Sequence, residues 1–320
     1  MAAEIDMSNG RANVAFAGQK LWHNLGTQLT KNSPLAIWER EAGFNWEILQ
    51  GDVSTVRNDG TTINMPERQL LYRSDTLAPL SVVSHKYKVV QPREILAFYE
   101  DLIESAGFTM ETAGMLFGGR RFWALANTNN SGQVVPGDDI DQYLLLTTAC
   151  DGSLATTAKF TSVRVACNNM LSMALSAGGT RSIKVPHNAN FDPQVVKKAL
   201  GVATGTWDLF MGNMRALAAK KMTNNEAVSF LVNIVGDPYE TLEDQSAGAA
   251  ALMQSIYSLW NGNAMGYELV GKTRWGMLNA VSEYYDHHTG HKTRDAAVNN
   301  TWYGEGEKIK QKAESLLLAA

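Results

Sequence analysis

The chain has 320 residues, 45% of them hydrophobic and 19% charged, with a formal net charge of −4. This composition excludes a disordered or collagen-like chain, and no apolar run approaches the roughly 18 residues of a membrane span. The polar, acidic start MAAEIDMSNGRA lacks the apolar stretch of a signal peptide. Two cysteines, Cys150 and Cys167, are too few for a disulfide scaffold or a cysteine-rich zinc site, so the chain reads as cytoplasmic.

In chain order, Ser33-Pro34 opens a short helix over LAIWEREA that Gly43 closes. Strand-like runs follow at 53–57, 68–73 and 79–84 and in YKVV at 87–90, divided by Asn-Asp-Gly and Ala-Pro. Pro92 starts a helix over REILAFYEDLIESA, with Ile95, Phe98, Tyr99, Leu102 and Ile103 on one face and Gly107 at its end. Phe108–Ala113 and Arg121–Asn127 read as a strand pair. NTNNSG and VPGDD read as loop before the strand QYLLLTTA. Asp151-Gly152 signals a hairpin into LATTAKFTSVRVAC, and MLSMALSA reads as a short helix.

From about residue 191 the pattern is helical. Thr223 and Glu226 form a Thr-x-x-Glu capping box, further helices cover about 244–260 and follow Thr273, and a charged helix spans about 305–318. Strands first and helices after them predict an α+β fold. The organisation expected is an N-terminal arm and short helix over 1–50, a β-rich core with an antiparallel sheet over 51–187 and a helical region over 188–320.

Charge is segregated along the chain. Residues 1–151 carry a net −6, residues 152–225 a net +7, residues 226–267 a net −5 with no Lys or Arg, and residues 268–320 balance. A basic block in an acidic chain points to a local anionic partner, with nucleic acid foremost because Lys/Arg contacts to phosphate dominate such affinities. The competing reading is a solvated face or an internal match to the acidic flanks.

Gly266 to Thr273, GYELVGKT, matches the P-loop pattern letter for letter. Yet no strand precedes it, its variable positions are bulky or acidic, and no strand ending in Asp follows to hold magnesium. Thr273 reads instead as a helix N-cap. His287 and His291 have the i, i+4 spacing of a zinc pair, with His288 between them. Gly290 intervenes and the Glu of H-E-x-x-H is missing, so they are weak metal candidates beside the reading of histidines at a helix C-terminus. Asp138, Asp139 and Asp141 lack the spacing of a calcium loop and read as a solvated turn. No nucleophile motif and no G-x-G-x-x-G is present, so no catalytic residue and no cofactor is expected.

Two β segments combine cations with aromatics. GGRRFWAL carries Arg120, Arg121, Phe122 and Trp123, and KFTSVRVACNN carries Lys159, Phe160, Arg164, Asn168 and Asn169. Such surfaces hold single strands, with cations on phosphates and planes stacked on bases. With Arg181 and Lys184 these residues are the candidate nucleic-acid contacts. The alternative makes Phe122, Trp123 and Phe160 core and pairs the arginines with acids such as Glu100, Asp101 or Glu104.

Several of these blocks carry a resemblance. EIDMSNGRANVAFAGQKLWHNLG, ETAGMLFGGRRFWALA, YLLLTTACDGSLATTAKFTSVRVACNNML, WGMLNAVSEYYDHH and WYGEGEKIKQKA resemble a phage- and plasmid-related family of unknown function. The resemblance implies a mobile-element protein in a host cell and no particular reaction. The order of elements and the basic, aromatic strands also resemble the phage single-strand annealing recombinases of the Red-beta and Erf type, which form rings or filaments and need no nucleotide. The expectation is a homo-oligomeric single-stranded DNA-binding protein that anneals strands as those recombinases do, with acidic 226–267 meeting a basic surface of a neighbour. The alternatives are a host-interaction or counter-defence protein that docks a host protein, and a metal-dependent enzyme around His287, His288 and His291.

Overall fold

The computed structural model describes residues 12–18, 26–164, 170–172, 182–201, 206–290 and 300–319. The architecture is α+β, a strand-rich N-terminal half followed by a helical C-terminal half. The strands are β1 (Val14–Ala17), β2 (Thr27–Leu29), β3 (Ile48–Val56), β4 (Thr62–Arg73), β5 (Pro79–Ser84), β6 (Thr109–Leu116), β7 (Arg121–Gln133), β8 (Asp139–Ala149), β9 (Thr156–Arg164), β10 (Met170–Ser172) and β11 (Ile183–Val185). The larger sheet has the order β10-β9-β8-β7-β6-β1-β2, with β11 also paired to β9, and β3-β4-β5 form a smaller sheet. β1 runs antiparallel to β6 but parallel to β2, so the larger sheet is mixed at that edge. The chain divides into two compact units, one drawn from Met1–Asn129, Tyr143–Phe160 and Thr180–Ala203, the other from Asn130–Gln142, Thr161–Gly179 and Thr204–Ala320.

In the first unit, α1 (Leu35–Glu41) starts one residue later than the Ser-Pro signal suggests, with Pro34 at the N-cap and Ser33 bonded to Thr30. The helix expected over 93–106 breaks into α2 (Pro92–Ala97) and α3 (Glu100–Ala106). The break falls at Phe98-Tyr99, both buried, where the Tyr99 hydroxyl donates to the carbonyls of Ala124 and Leu144 on β7 and β8. Those two tertiary bonds and the burial outweigh one continued helical turn. Gly107 then closes α3 at φ 70°, where a side chain would be strained. The core gathers aromatics: Phe122 meets Phe44 edge-on and Trp46 at a tilt, both at 5.6 Å between centroids. α4 (Pro193–Gly201) completes the unit.

Three expectations change. YKVV forms no strand: Lys88 N donates to His187 O, so the backbone bonds of this run go to a loop and not to a ladder. The Asn-rich run is not a loop. β7 continues through it to Gln133, and Asn130 bonds Gln142 at 2.7 Å, so the amides act as cross-strand partners. Residues 170–172 form β10, antiparallel to β9, in place of the start of a helix. The rest of MLSMALSA, with Cys167, lies outside the described residues.

The second unit is built on helices α5 (Thr206–Ala219), α6 (Asn224–Val235), α7 (Ala247–Ser258), α8 (Tyr267–Val270), α9 (Arg274–Glu283) and α10 (Glu305–Ala319). Every residue of α9 after Arg274 is buried, and the helix packs against α5, α7 and α10. Its polar residues are buried with the rest and bonded internally: Asn279 donates to Trp275 O, Ser282 to Leu278 O, and Glu283 accepts from Met265 N. The caps read from sequence are present. Thr223 and Glu226 form their capping box, and Thr273 Oγ1 accepts from Gly276 N. π-helical turns follow α7 at Leu259–Asn263 and α9 at Tyr284–His288.

Candidate nucleic-acid interface

The two arginines of GGRR face different surroundings. Gly119 (φ 93°) ends the β6–β7 turn, and a Cβ there would stand 2.7 Å from the Trp46 ring, so only glycine fits. Arg120 is exposed and its Nε donates to Phe117 O. Arg121 is only 8% exposed, donates to Ser153 Oγ at 2.7 Å and lies over the Phe117 ring. Lys159 on β9 is only 6% exposed. Arg121 and Lys159 are therefore largely buried, whereas the sequence reading set them among residues lining a groove. Lys159 finds no open side because β9 is buried on both faces, Thr161 and Ser162 included. Phe122 and Trp123 are core, as the alternative reading had it. Asp101, offered in that reading as an arginine partner, instead accepts from Lys197 and Gln194, which hold its carboxyl below the usual range.

Lys184 is exposed on β11, opposite Thr157 of β9. Arg164 ends β9, but its side chain, like Asn168, Arg181 and His291 entirely, lies outside the described residues.

The first unit holds a polar cleft of about 570 Å³ that sequence reading missed. Its chemistry comes from Gln50 on β3, His85, Lys88 and Tyr87 after β5, and Asn190 and Phe191 before α4. The walls are fixed by internal bonds. Gln69 Nε2 donates to Ser84 O and Tyr87 O, and the Gln91 amide bonds both N and O of Ile48. Glu94 accepts from Gln91 N. Tyr87 stacks on the His187 ring at 4.4 Å and donates to Ala149 O, and burial pushes its phenol above the ordinary range. Gln50, His85, Lys88 and Asn190 line the cleft as exposed residues. No spacing in the sequence marks them, because they come from three separate segments.

In the second unit, GYELVGKT does not form a phosphate loop. Gly266 caps the single-turn α8, Gly271 follows at φ 55°, and Thr273 caps α9. Lys272 points at Asn224 Oδ1 and sits over the Trp260 ring. An isolated bridge pairs Lys221 with Thr273, Met222 N donates to Lys272 O, and Arg274 N donates to Lys220 O. Four cations, Lys220, Lys221, Lys272 and Arg274, are thereby brought to one place. His287 and His288 lie in the second π turn, with His288 Nε2 3.3 Å from Glu283 Oε1. Among the described residues no group of three His, Cys, Asp or Glu is placed to hold a metal ion. Asp138 is not solvated. It is buried and accepts the Trp275 indole N–H. Burial pushes the Cys150 thiol up to about 12, which leaves it protonated and no nucleophile.

A family model matches residues 79–303, which takes in most of the larger sheet, the 85–91 wall of the cleft and the helices through α9. The chain belongs to DUF932, a domain family of unknown function. No curated protein matches it, and no solved structure does. Among the described residues of this DUF932 chain, no helix is long and apolar enough to cross a membrane.

Proposed function

We propose that this DUF932 chain is a mobile-element protein that binds single-stranded DNA, acts as an oligomer and anneals strands without a nucleotide. The cleft in the first unit carries the reading. Exposed amides of Gln50 and Asn190 offer donors and acceptors to the edges of unpaired bases. Phe191 offers a stacking plane, and Lys88 and His85 stand at the rim where phosphates pass. Lys88 and the exposed Arg120 and Lys184 supply backbone charge in the same unit. Annealing forms base-pair hydrogen bonds and changes no covalent bond, so it needs only that two strands be held with their bases exposed.

The test is fluorescence anisotropy of a labelled 40-nucleotide strand across a salt series. Binding that weakens steeply with salt is expected, with a further loss of at least tenfold in a folded Arg120→Ala/Lys88→Ala variant. A folded double variant with unchanged affinity overturns the assignment. A protein that ignores the strand at low salt and retains a host protein instead favours the host-interaction reading.

A further inference from the structure

The loop Gly236–Ser246 is ordered around one buried side chain. Asp237 N donates to Gln245 Oε1, and Gln245 Nε2 donates back to Asp237 O and to Glu240 O. Tyr239 N bonds Asp237 Oδ1, and Thr241 caps Asp244. So organised, the loop holds Tyr239 95% exposed and Leu242 56% exposed, ringed by Asp237, Glu240, Glu243 and Asp244. A loop that orders itself and still presents an aromatic to water is built to be covered, because rigid aromatics contribute most where proteins meet.

The same unit carries the complement. A groove of about 420 Å³ opens between α6 and α10, with Met222, Phe230, Leu316 and Leu317 on its apolar walls and Asn225 and Asn233 at its edge. Arg274 lines it, Lys312 Nζ donates to Asn233 O, and the cationic bridge of Lys220, Lys221 and Lys272 adjoins it through Met222 and Arg274. The groove's own acid, Glu226, is already held by Thr223 N and Oγ1. Leu316 is 38% exposed, so the groove is open.

We propose that the acidic Tyr239 loop of one copy docks in the basic α6–α10 groove of a second copy. The occupant is a second copy of this chain because the loop's carboxylates and the groove's cations are opposite in charge and the exposed aromatic has an apolar groove to enter. Tyr239 fills the groove, its hydroxyl meets Asn225 or Asn233, and the loop's carboxylates face Arg274, Lys220 and Lys221. The two surfaces differ, so the contact is head-to-tail and repeats from copy to copy, closing into a ring or running on as a filament. This deepens the oligomer of the proposed function and does not depend on DNA.

Sedimentation velocity of the full chain without DNA tests it. Wild type is expected to form a series of oligomers at low salt that shrinks toward monomer in 1 M salt, where exposed charge pairs are screened. Tyr239→Ala is expected to be monomeric with an unchanged circular dichroism spectrum, since the ring touches nothing that holds the fold. Leu316→Asp, which blocks the groove, is also expected to be monomeric. Mixing the two variants leaves one good knob and one good hole, so the mixture should give a 1:1 dimer and no larger species. A wild type that stays monomeric at low salt, a Tyr239→Ala protein that assembles like wild type, or a mixture that stays monomeric overturns the proposal. Assembly that survives while the strand is ignored sinks the DNA reading and leaves this interface standing.

Discussion

The indole N–H of Trp275 donates to the carboxylate of Asp138 at 2.7 Å, joining the β7–β8 turn to the central helix α9 with both residues buried. A hydrogen bond to a charged group in such a place contributes about 1.5–3 kcal/mol, and cutting it leaves a buried donor unpaired. Asp138→Ala is therefore expected to lower the unfolding free energy by that order, read as a fall in the urea midpoint at unchanged slope. A midpoint within error of wild type would show that the turn is held by other contacts.

Gly114 on β6 lies opposite Trp123 of β7, and a Cβ at 114 would stand 2.2 Å from the indole ring. The ring lies in the core, so it has nowhere to move. Gly114→Ala should cost about 1–3 kcal/mol through overpacking, measured as a fall in the thermal midpoint and a changed tryptophan emission. A compensating Trp123→Leu should recover part of the loss.

The neighbouring Arg120 and Arg121 should separate in experiment. Arg121→Ala removes the bond to Ser153 and the contact with Phe117, and is expected to destabilise the fold by about 1–3 kcal/mol. Arg120→Ala should leave the thermal midpoint within about 0.5 kcal/mol equivalent and weaken strand binding. The reverse pattern would place the functional cation at 121.

Arg73, buried beneath the Trp46 ring, holds the Asp75 carboxylate with two bonds of 2.9 and 2.7 Å. Those hydrogen bonds and the guanidinium charge keep the Asp75 pKa below its ordinary 3.8. The folded value is the lower one, so the stabilisation is complete above the unfolded pKa and is lost as pH falls through the folded one. Urea midpoints of wild type should drop more steeply below pH 4 than those of Asp75→Asn. Parallel curves would mean the pair adds nothing.

Local signals in this chain were legible and distant ones were not. Thr223 with Glu226 and Thr273 with Gly276 settle their helix starts within four residues, so their letters were enough to read them. The order of strands before helices was readable for the same reason. The bridge that sets Lys221 beside Thr273 joins segments far apart in the chain, and no periodicity announces it. The cleft is hidden likewise, since Gln50, Lys88 and Asn190 belong to three elements and each alone is an ordinary surface residue. Arg121 and Lys159 misled because a cation on a strand reads as solvent-facing, whereas here a hydroxyl and an aromatic ring receive the guanidinium of Arg121 inside.

Lys310, 1% exposed on α10, gives its ammonium to Asp286 at 2.7 Å and to the carbonyl of Thr301, with Glu307 3.8 Å away. Removing Lys310 leaves two buried carboxylates without their cation, and removing Asp286 takes away the acid that the ammonium touches, so changes at 286, 307 and 310 are expected to be non-additive. The three positions form one inherited unit: in a library that varies all three at once, an all-apolar set should be found where single replacements are lost.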